Sequence, residues 1–376
     1  MVRDAEGFLR PRLDGSKCVG CGRCTKACPV LKNGPVEGDD PDKDVLSYAA
    51  KSADETVRLS SSSGGLFYEM AKTVLDRGGV VFGCTIEAGS LQAVHGKAET
   101  LAELVPFQRS KYVQSDMRDS YPSCRDALAA GRRVLFVGTP CQIAGLHSFL
   151  GEEPENLLTC DLFCHGVPSP AVFEKAKEEI AARAGSKLTA VAFRVKKKGE
   201  KSPYAQYEFE DASKNFSEPL YPSAFYQAFI NDLCLRPSCH KCRFNGGRSG
   251  ADLTIADFRG LERERPDLLD ESGISALLAR SGKGKAFLAG ISSIVKHPVR
   301  YEQISSNSRS YHNTAREVPA GRSWFMKNYR RMDLAPCIGI AKAGGPRTAR
   351  LFVKALRAMA SRWCRIHGLA GKGKDA

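Results

Sequence analysis

The chain lacks the apolar segments that would carry it into or across a membrane. No stretch of its 376 residues is apolar over the roughly 20 positions that a membrane-spanning helix needs. The opening residues, MVRDAEGFLRPR, are charged and contain no apolar core of the secretory type. We therefore expect a cytoplasmic protein, in which clustered cysteines are metal ligands or catalytic groups rather than disulfides.

Acidic residues are scarce at the C-terminal end. Residues 320–376 contain 13 Lys or Arg and 2 Asp or Glu, whereas the rest of the chain contains 43 and 40. The body is nearly neutral, so we expect no nucleic-acid binding by the protein as a whole. Leu351, Leu356 and Trp363 share one helical face in this basic tail. They predict an amphipathic helix that contacts an anionic membrane peripherally at its inner face, or that docks on the body.

Cysteine, by contrast, is plentiful, with 14 residues. Cys18, Cys21, Cys24 and Cys28 are followed by Pro29 in the run CVGCGRCTKACP. This is the C-x2-C-x2-C-x3-C-P spacing with which bacterial ferredoxins hold [4Fe–4S] clusters on thiolates. The spacing predicts an iron–sulfur segment that transfers single electrons, with a structural zinc site as the alternative.

A second group of cysteines is dispersed along the chain. Cys141 and Cys164 each come directly after a predicted buried strand, and Cys239 and Cys242 form a C-x2-C pair. The carboxyl ends of parallel strands gather at one edge of a sheet, where ligands usually bind. Four thiolates are the number that a second [4Fe–4S] cluster requires. The alternative is that Cys141 and Cys164 are buried structural thiols.

The G-x-G-x-x-G dinucleotide fingerprint is absent, but two other turns open helices. Hydroxyl and N–H groups at a helix N-terminus suit a pyrophosphate, and an ordinary helix cap is the alternative. We expect FAD here, because a flavin exchanges hydride with an organic substrate and single electrons with clusters. The candidate cofactor-binding residues of the two turns are Ser62, Ser63, Gly64, Gly65, Gly138, Thr139 and Gln142.

Strand–turn–helix units predict an α/β fold with a mostly parallel sheet. Two alternating runs within residues 188–210 flank the polar stretch KKKGEKSP and predict an inserted hairpin. Lys196 and its two neighbours would then form a solvated hairpin tip, or else clamp an acidic cofactor. His165, beside Cys164, is a candidate proton donor, although a lone histidine is often only a hydrogen-bonded residue. Cys84, Cys124, Cys337 and Cys364 have no partners at ligand spacing and are interpreted as structural.

Six motifs together resemble the coenzyme F420 hydrogenase/dehydrogenase beta-subunit family over about residues 46–290. They are SSSSGGLFYEMA, SKYVQSDM, RVLFVGTPCQIAGL, CDLFCHGVPSP, LRPSCHKCRF and TIADFRG, in family order. The resemblance implies a flavoprotein with FAD and [4Fe–4S] clusters. Some members oxidise or reduce coenzyme F420, a plant relative reduces a hydroxymethyl chlorophyll, and many bacterial members lie among polysaccharide-assembly genes.

The resemblance also bears on individual residues and on domain organisation. It favours Cys141, Cys164, Cys239 and Cys242 as ligands of the second cluster, with Cys160 and Cys234 as reserves, and it makes the two helix-opening turns FAD contacts. The implied organisation is a ferredoxin-like segment, the two parts of a flavoprotein core, and the basic tail, over residues 1–34, 45–125, 126–319 and 320–376.

The N-terminal segment departs from the family pattern. Members with a ferredoxin module usually carry two cysteine runs, and this chain has only the second. In two-cluster ferredoxins the fourth cysteine of a run ligates the other cluster. Either the chain start has been placed too late, which we favour and which would make the module truncated, or Cys28 folds back to complete one site.

These observations predict an iron–sulfur flavoprotein oxidoreductase. Electrons would pass between a ferredoxin or another redox protein, the clusters and FAD, and hydride would pass to a soluble acceptor, either coenzyme F420 or an unknown compound of polysaccharide metabolism. The alternatives are a non-catalytic relay subunit of a larger redox complex, and a structural zinc protein with a membrane- or nucleic-acid-binding tail.

Overall fold

The computed structural model describes residues 1–32, 44–200, 202–308, 311 and 316–344. The predicted amphipathic helix of the basic tail and Cys364 lie outside these residues. Thirteen strands are present in the described part: β1 (Val2–Arg3), β2 (Leu9–Arg10), β3 (Leu46–Ser52), β4 (Val80–Ile86), β5 (Ala93–Ala98), β6 (Val134–Val137), β7 (Leu157–Leu162), β8 (Leu188–Val195), β9 (Tyr204–Phe209), β10 (Phe216–Pro219), β11 (Leu253–Asp257), β12 (Ser275–Ala279) and β13 (Ile294–Pro298).

The same residues form fourteen α-helices. They are α1 (Arg23–Lys26), α2 (Pro29–Lys32), α3 (Glu55–Ser60), α4 (Leu66–Leu75), α5 (Leu101–Leu104), α6 (Ser120–Ala129), α7 (Pro140–Leu150), α8 (Pro170–Ala184), α9 (Ala224–Ile230), α10 (Leu261–Glu264), α11 (Gly282–Ala289), α12 (Tyr301–Ser305), α13 (Arg322–Asn328) and α14 (Leu334–Lys342).

An eight-stranded sheet forms the core, in the order β13-β3-β12-β11-β7-β6-β4-β5. The four adjacent central strands β11, β7, β6 and β4 are parallel. β3 runs in the same direction as these four, whereas β5, β12 and β13 run in the opposite direction. The sheet is therefore mostly parallel, as predicted, and the antiparallel strands lie outside its parallel centre.

The central strands are apolar on both faces, as parallel strands covered by helices usually are. Leu135 and Phe136 are adjacent in β6 and point to opposite faces, yet both are fully buried. α4 packs on one side through Met70 and Ala71, and α7 packs on the other side through Ile143. The predicted helix 66–75 and the predicted strands at β4, β6, β7 and β11 are confirmed.

A buried carboxylate links the ends of the central strands. Asp252, just before β11, accepts hydrogen bonds from the backbone N–H and the hydroxyl of Thr159 in β7, at 2.8 and 2.9 Å. It also accepts one from the hydroxyl of Ser281 at 2.5 Å. Three donors therefore hold this buried carboxylate, and they fix the start of β11 against β7.

The predicted hairpin is confirmed as β8 and β9, and β10 extends it to a three-stranded antiparallel sheet. Its inner face packs with α8 and α9 in a second apolar core that contains Phe193, Phe225 and Phe229. α13 and α14 join this core through Phe325 and Leu334, so the first part of the predicted tail is packed on the body. Among the described helices, none is both long and apolar enough to cross a membrane.

Candidate redox site

The candidate residues lie where the parallel strands end. Cys141 follows β6, Cys164 follows β7, and the turn at Gly64 follows β3 by way of α3. These three strands run in the same direction, so their carboxyl ends share one edge of the sheet. The sequence-based expectation that these groups would meet at a single edge is consistent with this topology.

The β6–α7 turn places Cys141 in the first turn of a helix. The side-chain oxygen of Gln142 accepts a hydrogen bond from the Thr139 backbone N–H at 2.8 Å and from the Thr139 hydroxyl at 3.0 Å. The Thr139 hydroxyl also lies 3.3 Å from the Cys141 sulfur. Thr139 and Gln142, predicted to contact FAD, thus stabilise the helix start and orient the thiol beside it.

The loop after β7 lies along the loop that carries the C-x2-C pair. Arg236 donates its backbone N–H to the Val167 carbonyl at 2.9 Å, and Pro168 and Leu235 form a β-bridge. Gly166 has φ +136°, and a Cβ at this position would lie 2.9 Å from Leu235 Cδ1. Glycine therefore allows the two loops to approach closely, and it brings Cys164 towards the pair.

The four dispersed cysteines influence one another electrostatically. Burial, together with the neighbouring Cys141 and Cys242, raises the pKa of Cys239 to about 12. Burial first, and then Cys239 and Cys141, raises the pKa of Cys164 well above its ordinary value. Cys141 retains solvent access, yet the protein around it and then Cys242 also raise its pKa. Such thiols ionise readily only beside a positively charged group, which the iron ions of a cluster would supply.

Cys141, Cys164, Cys239 and Cys242 supply the number and kind of ligands that a [4Fe–4S] cluster takes. Within the described residues, no three His, Cys, Asp or Glu side chains converge as ligands of a single ion. A [4Fe–4S] cluster binds each thiolate at a different iron, so its ligands stand further apart than those of one zinc ion.

The reserve ligands lie apart from this group. Cys160 is fully buried in β7 within the sheet core, and Cys234 is fully buried in the core under the second sheet. The pKa of Cys160 is raised by burial and then by Asp161 and Asp252, not by another cysteine. Cys124 and Cys337 are likewise fully buried in apolar surroundings, whereas Cys84 is half-buried.

The N-terminal cysteines form a largely exposed group, and the helix that follows them packs against the same region. Cys18, Cys21 and Cys24 are exposed, and Cys28 is half-buried between α1 and α2. α2 packs against α7, the helix that begins beside Cys141. The segment ahead of the cysteines is also tied to the body, since Leu9 donates its backbone N–H to the Gln114 side chain at 2.9 Å.

The turn at residues 61–65 is fixed by hydrogen bonds to residues 274 and 275. Ser63 donates its hydroxyl to the Ile274 carbonyl at 3.1 Å, and Gly64 donates its N–H to the Ser275 hydroxyl at 2.9 Å. A Cβ on Gly64 would lie 2.7 Å from the Ala50 carbonyl oxygen, so only glycine fits there. The backbone N–H groups of residues 66–68 in the first turn of α4 have no acceptor among the described residues.

Cationic side chains surround this turn and bind its carbonyl groups. Arg109 donates to Ser60 at 3.1 Å, Arg194 to Ser62 at 2.8 Å, and Lys196 to Ser63 at 2.5 Å. Arg194 also forms a salt bridge with Asp257 at the end of β11. Within the described part of the chain, neither Arg109 nor Lys196 forms a salt bridge, although Asp257 and Asp270 act on Lys196 from a greater distance.

Lys196 corrects one interpretation of the sequence. A solvated hairpin tip was predicted for it, but Lys196 donates to three backbone carbonyls, those of Arg58, Ser63 and Ser272. Burial, followed by the nearby Arg194, lowers its pKa to about 8. Lys197 is exposed as predicted. The run of three lysines does not distinguish Lys196 from Lys197 in the sequence, because the difference in their surroundings depends on how the hairpin packs on the sheet.

His165 is already engaged in hydrogen bonds. Its Nε2 lies 2.6 Å from Asp232 Oδ1. Arg316 Nη1 lies 2.9 Å from Nδ1 and 3.0 Å from Nε2, so the guanidinium contacts the ring as a whole rather than one nitrogen. The imidazole is therefore held between a carboxylate and a guanidinium, and its role as a proton donor stays a prediction.

A buried network behind the Cys141 turn was not predicted. The Gln142 side-chain N–H donates to the Ser115 hydroxyl at 2.8 Å, which lies 2.9 Å from His95 Nδ1. His95 Nε2 lies 3.2 Å from the Val137 carbonyl at the end of β6. Burial lowers the pKa of His95 to about 4. Ser115 belongs to the motif SKYVQSDM, which was the only sequence signal for this network.

The fold and the cysteine groups define an iron–sulfur redox protein. Residues 10–63 match the 4Fe-4S dicluster domain, within which this chain has four cysteines. Residues 131–297 match the family model that describes the C-terminal part of the beta subunit in coenzyme F420 hydrogenase/dehydrogenase. This match supports the resemblance to the beta-subunit family that the motifs predicted.

One similar solved structure is a chain of the F420-reducing [NiFe] hydrogenase complex from Methanosarcina barkeri. The two chains are 17% identical, the match covers 73% of this chain and 96% of that chain, and the TM-score is 0.47. No curated protein matches this chain.

The His95 network predicts a specific dependence of stability on pH. The unfolded chain takes up a proton on His95 below about pH 6.5, whereas the folded chain does so only near pH 4. The stabilising contribution of neutral His95 is therefore complete above pH 6.5 and is lost as the pH falls to 4. The loss amounts to about 3 kcal/mol in the free energy of unfolding.

Urea denaturation of the purified chain at pH 7 and pH 4.5 measures this effect. The variant His95→Gln keeps a polar side chain but cannot take up the proton, so its stability should fall less between the two pH values. Equal pH slopes for the two proteins would show that His95 is not the group responsible.

Proposed function

We propose that this protein is an FAD- and [4Fe–4S]-dependent oxidoreductase that takes electrons at its N-terminal segment and delivers them to a soluble acceptor. The observation that carries the proposal is the sharing of one sheet edge by a group of four thiols and a cation-lined helix start. When bound, the clusters and the flavin would supply single-electron and hydride chemistry respectively. The acceptor is proposed to be coenzyme F420 or another small organic molecule.

The core cluster is assigned to Cys141, Cys164, Cys239 and Cys242. This assignment is supported by the approach of the two cysteine-bearing loops at Gly166, and by the raised pKa values of Cys141, Cys164 and Cys239, to which burial and then neighbouring cysteines contribute. The N-terminal cluster is assigned to Cys18, Cys21, Cys24 and Cys28, which are the four cysteines of the matched 4Fe-4S segment.

The flavin pyrophosphate is assigned to the start of α4. Three features support this: N–H groups in the first helical turn that have no acceptor among the described residues, the close packing that requires Gly64, and the cations Arg109 and Lys196, which form no salt bridge with those residues. Helix N-termini and uncompensated cations both attract phosphates. Arg109 and Arg194 also have positive φ angles, of 69° and 57°, and backbone strain of this kind is common at ligand sites.

The two assigned sites lie close together along the sheet. Arg194 joins the α4 turn to Asp257 at the end of β11, and Cys164 follows the neighbouring strand β7. Neighbouring strands are separated by about 4.8 Å. On the proposed assignments, Lys196 and Cys164, both half-buried, would lie beside the flavin and the cluster respectively.

The N-terminal segment has the surface of an electron-entry site. Its cysteines are exposed, and Leu13 and Val19 beside them are 69% and 86% exposed. Residues 10–32 contain six Lys or Arg and one Asp. An apolar patch within a basic surface favours an acidic electron-carrier protein such as a ferredoxin.

The assignment of the core cluster predicts different results for two cysteines that are four residues apart. Anaerobic reconstitution of the wild type should give on the order of eight irons per chain. Cys164→Ala should lose about four of them, because it removes one ligand of a cubane. Cys160→Ala, the matched control, should retain the wild-type iron content. Iron loss in the control alone would overturn the assignment.

The flavin assignment predicts that Lys196→Met weakens FAD binding. The variant removes a buried cation from the α4 turn, and we expect at least a tenfold rise in the FAD dissociation constant, roughly 1.4 kcal/mol. Lys197→Met, next to it on the exposed hairpin, is the matched control and should bind FAD normally. Thermal unfolding of both variants separates loss of the cofactor from loss of the fold. Equal FAD affinity in both variants would contradict the assignment.

The entry site predicts electron transfer that depends on salt. We expect the rate of reduction by an acidic ferredoxin to fall with rising ionic strength. The triple variant Lys17→Glu, Arg23→Glu and Lys26→Glu should lower that rate at least tenfold at low salt. Dithionite, a small reductant that needs no docking, should reduce the variant as it reduces the wild type.

A second triple variant provides the matched control for charge. Lys187→Glu, Lys198→Glu and Lys214→Glu change the net charge equally, but at exposed positions of the second sheet. If both triple variants slow the ferredoxin reaction to the same extent, net charge rather than the proposed entry site determines the rate. Turnover of a soluble acceptor by the isolated protein would further distinguish an enzyme from a relay subunit.

A further inference from the structure

Arg316 contacts both of the loops that carry the dispersed cysteines. We call residues 163–169 the Cys164 loop and residues 234–242 the Cys239 loop. The Arg316 backbone N–H donates to the carbonyl of His240, between Cys239 and Cys242, at 2.8 Å. Its Nη1 lies 2.9 Å from Nδ1 of His165, the residue next to Cys164. One residue thus joins the two loops beside their thiols.

The guanidinium is buried in a group of compensating charges. The Arg316 side chain is 6% exposed, and Nη1 lies 3.4 Å from Asp232 Oδ1, the same oxygen that contacts His165. Asp232 adopts φ +59°, a left-handed conformation that costs energy for a residue other than glycine. The surrounding structure therefore holds Asp232 where it engages His165 and Arg316 together.

The other hydrogen bonds between these two loops, in the part of the chain that the structure describes, are made by the backbone and lie further from the thiols. Ser169 donates its N–H to the Cys234 carbonyl, and Arg236 donates to Val167, at 2.8 and 2.9 Å. Arg322 supports the Cys239 loop from its far end, where it donates to the Leu235 carbonyl and forms a salt bridge with Glu6. Contacts at that end cannot fix the direction of the thiols as a contact beside them can.

We infer that Arg316 is a positioning residue that holds the Cys164 and Cys239 loops in register for the core cluster. The inference rests on the proposed assignment of that cluster. Groups that orient metal ligands without touching the metal commonly change affinity and potential when they are replaced. Arg316 would act in two ways: it fixes His165 and hence Cys164, and it places a buried positive charge beside the cluster.

The first experiment uses the chain without iron. We compare the rates at which iodoacetamide alkylates Cys164 and Cys239 in the wild type, in Arg316→Met and in Arg132→Met, by mass spectrometry. Arg132 is the matched control because it also joins separate segments, binding Glu99 and the Gly78 carbonyl at the opposite edge of the sheet. We expect Cys164 to react at least threefold faster in Arg316→Met and at the wild-type rate in Arg132→Met.

The second experiment uses the reconstituted protein and follows the core cluster by EPR. Loss of the positive charge in Arg316→Met should shift the midpoint potential to more negative values, because the reduced cluster carries more negative charge. Arg316→Lys retains the charge and should restore the potential towards that of the wild type. Arg132→Met should leave the potential unchanged.

The outcomes separate this inference from the proposed function. If the wild type binds no core cluster, the proposed function fails. The inference that Arg316 serves a cluster then fails as well, even if the alkylation rates show that Arg316 holds the two loops. If the wild type binds the cluster but Arg316→Met alters neither the alkylation rate nor the potential, only the inference about Arg316 is overturned. Faster alkylation with an unchanged potential and iron content would make Arg316 a structural residue without influence on the cluster.

Discussion

The parallel pairing of β6 with β7 is the constraint on which the rest of the site depends. Val137 at the end of β6 is opposite Cys160, and Gly138 continues the ladder by donating its N–H to the Cys160 carbonyl at 3.1 Å. The two strands therefore end almost together, and the turns that follow them bring Cys141 and Cys164 to the same edge. Residues that are 23 positions apart in the sequence become neighbours because adjacent strands are about 4.8 Å apart.

The edge holds two kinds of electrostatic imbalance. On one side, burial and then the neighbouring cysteines raise the pKa values of Cys141, Cys164 and Cys239, so that the ionised forms of these thiols need a positive partner. On the other side, Arg109 and Lys196 bind only backbone carbonyls in the described part of the chain and need a negative partner. The proposed metal cluster and pyrophosphate would answer these opposite needs.

Local sequence patterns predicted some parts of this site. The parts that depend on packing between distant segments of the chain were not predicted. Cys141 and Cys164 could be placed because each follows a buried apolar strand. β5 and β13 escaped prediction because AVHGKA and IVKHP contain polar residues and glycine that hide the alternation of an edge strand. Lys196 and Arg316 acquire their positions from contacts with segments more than 70 residues away, and no spacing in the sequence reports such contacts.

Specific contacts attach the N-terminal segment to the core and fix its position there. Electron transfer weakens steeply with distance, so a segment that donates electrons must be held against its acceptor. Glu6 forms a salt bridge with Arg322, which also binds the Leu235 carbonyl of the Cys239 loop. Leu9 binds Gln114, the neighbour of Ser115 in the network behind Cys141. The segment is thus anchored to residues that support the dispersed thiols, so one set of contacts fixes both the proposed site of electron entry and the position of the core thiols.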